Sequence, residues 1–526
     1  MEEVNILANG KVEDVLKFCM EKGLLIDKET CKLLSELDEN TARSVVEKFS
    51  NLKEKLITRS FLDKNAEKIS ELIEDRKITE KLNIKFGVSL EISRESEIKR
   101  VKEEEEIKKE EVGNIKIIFS IANLTKKITP EDFVRYFRAR YQQIKSFLQE
   151  RKELEGLSSI NKINGNRQGL SIIGLVFNKR VTKNKNILLE LEDLTGKTTV
   201  LINRNKIDVY EKAKDVLIDD VIGVRGFGSQ EIIFANDIIY PDAFLYEKSK
   251  IERDERAAFI SDIHVGSNNF LEDSFLKFIS WINGELGDEK QKEEAKKVKY
   301  LFITGDSIDG VGIFPGQEAL LEIKDIKEQY KKLAEYLSRI RKDVKMIICP
   351  GQHDSVRVAE PQPAIGKDYG GALCDLDNVL LVSNPAFVEI CNGDTKGIKI
   401  LMYHGASMNS YINEIEHLRI ERAHNNPSKV VKEMLKRRHL ASMHSFVTYI
   451  PNENYDPLLI KDIPDIINTA DLHRADIDIY NNILIICSSC WQSITPFEEK
   501  VGNIPEPCKV PVFNLKTREI KILDFS

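Results

Sequence analysis

Residues Leu301–Gln317 read "LFITGDSIDGVGIFPGQ", an apolar run that stops at Thr-Gly-Asp and sets a second carboxylate, Asp309, just beyond Asp306. A strand ending at Gly-Asp often carries a functional group, because the strand is rigid and the loop after it is open to solvent. Gly and Asp are also ordinary turn residues, so this stretch alone leaves both readings open. Recurrence decides between them. "AAFISDIHVGS" supplies Asp262 and His264, and "MIICPGQHDSVR" supplies Gln352, His353 and Asp354. "ILMYHGAS" supplies His404, and "INTADLHRAD" supplies Asp471 and His473 shortly before the last expected strand. Each cluster is weak alone, but strand ends in a layered sheet converge on one edge, where sites are built. Asp, His and amide donors in combination suit two divalent ions that share a carboxylate.

The rest of the composition bounds what such a site could serve. At 526 residues the chain is too long for one core, so several domains are expected. Hydrophobic residues make up 41% and charged residues 31%, as in a globular protein with charged surfaces. No stretch approaches the roughly 20 apolar residues of a membrane span, and "MEEVNILANGKVEDVLKF" lacks the pattern of a signal peptide. The eight cysteines are scattered apart from Cys487 and Cys490, so a reduced, cytoplasmic protein is expected. A net charge of -7 argues against a general nucleic-acid coat protein, though not against a nuclease that holds DNA through metal ions. All eight histidines fall at or beyond His264, which confines the expected chemistry to the C-terminal half.

Five segments follow from the patterning. Residues 1–75 read as a helical module, with Val12, Val15, Leu16 and Cys19 on one face. Residues 76–113, with "SRESEIKRVKEEEEIKKEEVGN", read as a charged linker. Residues 114–163 form a helical connector whose Phe133, Tyr136, Phe137 and Tyr141 read as core more readily than as a base-stacking stripe. Residues 164–250 hold short β-branched runs between Gly, Asn and Asp turns, the order of a small barrel of the oligonucleotide/oligosaccharide-binding (OB) type. With few aromatics on its face, protein docking is expected of it. Residues 251–526 alternate helices with strands, expected at 257–261, 300–304, 345–349, 399–403 and 483–488, as in a layered α/β domain. The fold class is therefore multi-domain α+β.

The order Asp-x-His, Gly-Asp-x-x-Asp-Gly, His-Asp, His and a final x-His resembles the calcineurin-like metallophosphoesterase superfamily. "FPGQ", "SVRVAEPQPAI", "YHGAS" and "CWQSITPF" further resemble the small subunits of archaeal family D DNA polymerases, over residues from about 115 onward. The resemblance implies a metal-dependent 3′→5′ exonuclease that proofreads for a large catalytic subunit at the DNA 3′ end. Any contact with a sliding clamp would come through the complex, and no membrane is involved. By position, Asp262, His264 and His473 would hold one ion, Asp306 would bridge, and Gln352, His404 and Asp471 would hold the second. His353 would act as general acid, oriented by Asp309. Two divalent ions are implied, Mn²⁺ first and Mg²⁺ as the alternative.

Two positions depart from the pattern: Gln352 stands where Asn is usual, and Asp471 where His is usual. Both fall on the second ion, and both keep an oxygen donor. The rival reading is a non-catalytic scaffold subunit of the same polymerase. A small-molecule phosphoesterase would give no reason for the long N-terminal part. Blander expectations cover the rest: Cys487 and Cys490 as structural thiols, and His417, His424, His439 and His444 as surface residues. "KRRH" at 436–439 reads as an exposed helix face, and "VAEPQPAI" as a loop shaped beside the site.

Overall fold

Every residue from Ala257 to Ile260 is buried, yet alternate side chains go to different cores. That double burial builds the fold. The computed structural model describes residues 17–26, 30, 43, 46, 56–57, 111–112, 114–121, 127–163 and 168–526 except 394, 453 and 502. The chain divides into two compact units, Met1–Glu103 and Glu104–Ser526. In the first, a helical segment at 17–21 buries Cys19, and strands β1 (Leu25–Ile26) and β2 (Leu56–Ile57) pair in parallel. Val12, Val15 and Leu16, with most of the expected helical module and charged linker, lie outside the described residues.

The second unit opens with β3 (Glu111–Val112) and β4 (Ile115–Phe119), then a barrel. The barrel strands are β5 (Gln168–Val181), β6 (Ile187–Asp193), β7 (Gly196–Ile202), β8 (Val221–Gly228) and β9 (Ile232–Ile239). They close in the order β5-β6-β7-β9-β8, with β7 and β9 parallel. Inward residues such as Leu189, Val200, Ile222 and Ile233 fill it. The Asp193 carboxylate accepts from the backbone of Thr195 (2.7 Å) and Gly196 (2.9 Å), which fixes the tight β6–β7 turn.

The layered part contains β10 (Arg256–Ile260), β11 (Val298–Thr304), β12 (Lys345–Cys349), β13 (Val379–Leu381), β14 (Ala386–Asn392) and β15 (Thr395–Met402). It continues with β16 (Ile466–Thr469), β17 (Asp476–Tyr480), β18 (Ile483–Cys487), β19 (Lys509–Asn514) and β20 (Ile520–Asp524). One sheet runs β13-β12-β11-β10-β19-β20 and the other β17-β18-β16-β15-β14-β4-β3. Phe259, Phe302 and Ile347 of the first pack against Ile400, Ile466 and Ile486 of the second. Their sequence neighbours face outward. Ile260 and Leu301 meet the helices Glu272–Ile282 and Ile326–Ser338, while Ile467 and Ile485 meet Met408–Glu414 and Ser428–Arg437. The result is helices, sheet, sheet, helices, which explains why these strands read as unbroken apolar runs.

Two differences from the sequence expectation have clear causes. The connector is not helix alone: Ile115 and Ile117 alternate into the inter-sheet core and pair β4 with β14. Its helix, Pro130–Gln149, does follow, burying Tyr136, Tyr141, Ile144 and Leu148, so the aromatic stripe is largely core. In the "KRRH" stretch Arg437, Arg438 and His439 are buried rather than exposed, and Lys436 is partly buried. Arg437 pairs with Asp220 (3.2 Å) and Glu433, Arg438 lies over the Phe147 ring, and His439 bonds Asp456 (2.7 Å). Glu433 belongs to the same helix, but the other acids that neutralise it, Asp220 and Asp456, come from just before β8 and a distant loop. His444 and His417 also reach barrel-side acids, Asp219 (2.7 Å) and Asp215 (3.1 Å). Among the described residues, no helix is long and apolar enough to cross a membrane.

Asp456 carries the centre of this junction. It accepts from Arg140 (2.6 Å) and His439, and Arg140 also donates to the Ser442 carbonyl (2.7 Å). Asp456→Ala would leave a buried guanidinium unpaired, and should cost about 3–5 kcal/mol in urea unfolding. A loss below about 1 kcal/mol, the scale of a surface pair, would show that Arg140 finds other compensation.

Candidate metal centre

The parallel strands decide where the polar residues meet. Asp262 and His264 follow β10, Asp306 and Asp309 follow β11, and Gln352 and His353 follow β12. His404 follows β15, and Asp471 and His473 follow β16. β10, β11 and β12 are parallel neighbours in one sheet, and β15 and β16 in the other. Both sheets thus deliver side chains to one edge, at the strands' carboxyl ends. The sequence attached Asp471 and His473 to the approach to β18; they belong instead to the short β16. All nine expected site residues come to this edge.

The backbone is under tension there. Asp262, His264, Asp306, Asp471 and His473 have φ of 46°, 53°, 47°, 69° and 56°, in the left-handed region. Such conformations cost free energy and persist where surrounding structure enforces them, typically at functional sites. Space is equally constrained: a Cβ on Gly351 would lie 2.2 Å from Asp306 Oδ1, and one on Gly305 2.1 Å from His404 Nδ1.

The histidines share one orientation. Nδ1 of His404 donates to the Thr304 carbonyl (2.9 Å) and Nδ1 of His353 to the Asp309 carbonyl (2.7 Å). Nδ1 of His264 meets the Asp309 carboxylate (3.0 Å), and Nδ1 of His473 meets Glu498 (2.8 Å). A carbonyl can only accept, so Nδ1 carries the hydrogen and a neutral ring presents a bare Nε2 lone pair inward. Those lone pairs face carboxylates. His404 Nε2 is 3.2 Å and His353 Nε2 3.9 Å from Asp306 Oδ2, and His473 Nε2 is 3.4 Å and His264 Nε2 4.0 Å from Asp262 Oδ1. Among the described residues, buried Asp262 Oδ1, His264 Nε2, His404 Nε2 and Gln352 Oε1 have no hydrogen-bond partner. With neutral rings, acceptors converge on acceptors in a buried pocket, a clash that a bound cation or a proton on Nε2 relieves.

Ligand atoms of Asp262, His264 and His473 lie within 4.8 Å of one another, as do those of Asp262, Asp306 and His404. Asp262 is common to both groups. Gln352 turns its amide nitrogen to Asp471 (3.1 Å), which lies 3.8 Å from His404 Nε2. Asp309 meets His353 through its carbonyl, while its carboxylate serves His264.

Electrostatics follow the same logic. Burial would hold Asp306 neutral, but His404, His353 and His264 keep its carboxyl well below the usual range. Burial disfavours charge on His404, yet Asp306, Asp262 and Asp471 push it well above an ordinary histidine. Asp471 is pushed up to about 6 by burial and by Asp262 and Asp306. Asp354 also rises to about 6, by burial and Asp306, while its carboxylate accepts from Gly351 (2.9 Å) and Tyr330 (3.0 Å).

Several supports were not foreseen. Gln317 and Gln492 donate to Asp309, and Glu498 orients His473. Gln362 of the "EPQP" stretch holds the Gly351 carbonyl (3.1 Å), and Asn384 accepts from the His404 backbone (2.9 Å). The proline-rich stretch is thus a strut beneath the site. Cys487 and Cys490 are free and buried. Glu360 is the most consequential of these. It is buried, bonds Tyr403 (3.1 Å), and is pushed up to about 8 by burial. Folded chains hold this proton where unfolded chains have released it, so metal-free protein should lose stability as pH rises from about 5 to about 8. Glu360→Gln should remove that part of the slope. Urea unfolding across this range decides, and equal slopes would mean that Glu360 ionises freely when folded.

A model of the B-subunit family of DNA polymerases alpha and epsilon matches residues 257–476. The "DNA polymerase II small subunit" of Methanothermobacter thermautotrophicus is 38% identical over 395 residues, 75% of this chain and 79% of its own. That of Archaeoglobus fulgidus is 37% identical over 385 residues, covering 73% and 75%. The Pyrococcus furiosus subunit is 37% identical over 406 residues, 76% of this chain but 64% of its own length. A solved archaeal phosphodiesterase aligns with 51% of this chain and 98% of its own at 11% identity and a TM-score of 0.25.

Proposed function

The chain belongs to the family of archaeal DNA polymerase II small subunits, and on that premise we propose that it is the subunit's 3′→5′ exonuclease, working beside a large catalytic subunit. The observation that carries this is the inward set of unpartnered donors: Nε2 of His264 and His404, Asp262 Oδ1 and Gln352 Oε1. A scaffold would have no reason to keep them buried and unsatisfied. They suit two divalent ions, Mn²⁺ or Mg²⁺, since carboxylate and amide oxygens complement the imidazoles.

When bound, the ions would supply Lewis-acid stabilisation of the phosphodiester and an activated water. Asp262, His264 and His473 would hold one. His404, Gln352 and Asp471 would hold the other, Asp471 needing to release the Gln352 amide or share its carboxylate, and Asp306 would serve both. Asp309 aims His264 through its carboxylate and His353 through its carbonyl. The imidazolium of His353 would deliver a proton from Nε2 to the departing 3′ oxygen. Its side chain is 21% exposed against 0–3% for His264 and His404, as a group that must meet substrate requires.

The closed barrel, with its one parallel β7–β9 closure, supports the OB reading and a role in docking the partner subunit. The layered domain would then draw β3 from the end of the charged linker and β4 from the connector. A DNA-processing complex places the work in the cytoplasm, with any clamp contact made by the complex. The test is incubation of the full chain, alone and with its large subunit, with 5′-labelled single-stranded DNA and Mn²⁺. Stepwise shortening from the 3′ end supports the exonuclease; intact DNA in both samples would leave the scaffold reading.

A further inference from the structure

Asp309 is buried and touched from several directions. Its Oδ1 accepts from His264 Nδ1 (3.0 Å) and Gln492 Nε2 (3.3 Å), and its Oδ2 from Gln317 Nε2 (3.0 Å). Its carbonyl accepts from His353 Nδ1 (2.7 Å) and from the same Gln317 amide (2.8 Å). Gln492 is itself held to Ser267 Oγ (2.7 Å), and the Gln317 oxygen accepts from the Ile313 backbone (2.9 Å). Both glutamines are nearly inaccessible, at 1% and 5% exposure. They come from the "FPGQ" and "CWQS" stretches, far apart in sequence, and each takes a different oxygen of the Asp309 carboxylate. A primary amide suits the place, because it donates to a carboxylate without adding charge; a Glu of equal size would set acceptor against acceptor.

We infer that Gln317 and Gln492 are positioning residues that lock Asp309, so that one residue fixes the tautomers of two histidines. The carboxylate keeps the hydrogen of His264 on Nδ1, which leaves Nε2 to face Asp262. The carbonyl keeps the hydrogen of His353 on Nδ1 and turns Nε2 into the site, 3.9 Å from Asp306 Oδ2, where a substrate would lie. The two glutamines are not equivalent. Gln492 grips the carboxylate only, so its loss loosens His264. Gln317 grips carboxylate and carbonyl together, so its loss loosens both rings. The consequence for turnover rests on the nuclease reading; the tautomers do not.

The experiment compares Gln492→Met and Gln317→Met with the parent full chain. Three quantities are followed: Mn²⁺ affinity by electron paramagnetic resonance, turnover at saturating Mn²⁺, and ring ¹⁵N signals of metal-free, histidine-labelled protein. Single histidine substitutions assign the rings. Loss of a partner behind a metal-binding histidine costs about 10–100-fold in affinity or activity. Gln492→Met should weaken Mn²⁺ binding by that order and mix the His264 tautomers, its loss falling on affinity more than on turnover at saturating Mn²⁺. Gln317→Met should do both and also lower that turnover. Gln492→Glu and Gln317→Glu, of matched volume, replace any Met variant that does not fold. Folded variants with parental Mn²⁺ affinity and parental ring signals would overturn the inference. If the parent itself neither binds Mn²⁺ nor cleaves DNA, the nuclease reading fails, and the ring signals alone then decide the positioning role.

Discussion

Asp306→Asn should abolish nucleolysis while leaving a folded chain that still joins its large subunit. Asp306 is the carboxylate against which His404 and His353 are set, at 3.2 Å and 3.9 Å, and its Oδ1 also accepts from the His353 backbone (2.8 Å). An amide there would keep the volume, and asparagine tolerates the left-handed φ of 47° better than most residues. What it removes is the negative charge that makes a cation worth binding. Lewis-acid stabilisation contributes several kcal/mol, and about 1.4 kcal/mol is worth a factor of ten, so a fall of about 10³-fold or more is expected. Asp306→Ala should be at least as inactive. Assembly should survive in both, because the proposed docking barrel, β5–β9, is built from other residues. Co-elution with the large subunit and cleavage of end-labelled DNA are measured on the same preparations. If complex and activity disappear together, the site is a structural element rather than a catalytic one.

How far the site could be read from sequence depends on where each residue's partners lie. β10, β11 and β12 were legible because both faces are buried, so Phe259, Phe302 and Ile347 stand beside equally apolar neighbours. β16 was not. It has four residues, one of them Asn468, whose amide is buried against the Ile486 carbonyl and Ser488 (2.9 Å). A polar residue in so short a run hides the strand, although the Asp471 and His473 it carries were visible by type. β19 and β20 pair antiparallel at the sheet's edge, and β19 includes Pro511, a further departure from strand patterning. His439 and Arg437 read as surface residues because nothing nearby announces burial; Asp220 lies 217 positions from Arg437. Gln317 and Gln492 belonged to recognisable stretches yet had no assignable role, since Gln492 meets Asp309 across 183 positions. Chemistry carried by residue type was legible, whereas chemistry carried by long-range partnership was not.

His353→Ala should lower turnover by about 10²–10⁴-fold, the usual worth of general acid catalysis, while Mn²⁺ affinity changes little. The ring hangs from the Asp309 carbonyl through Nδ1, and its Nε2 is farther from Asp306 than that of His404. Its backbone N–H, which the substitution keeps, is what bonds Asp306 Oδ1. The loss should therefore fall on proton delivery rather than on the carboxylate. A substrate that needs no proton separates the two. Departure of the DNA 3′ oxygen as an alkoxide is costly without an acid, whereas p-nitrophenolate leaves readily as an anion. The variant should then cleave a p-nitrophenyl phosphodiester nearly as well as the parent, despite its large defect on DNA. A metal ligand would behave otherwise, because losing an ion slows both substrates. Equal defects on the two esters, with a collapse of Mn²⁺ binding in calorimetry, would make His353 a ligand and leave the proton donor to be found elsewhere.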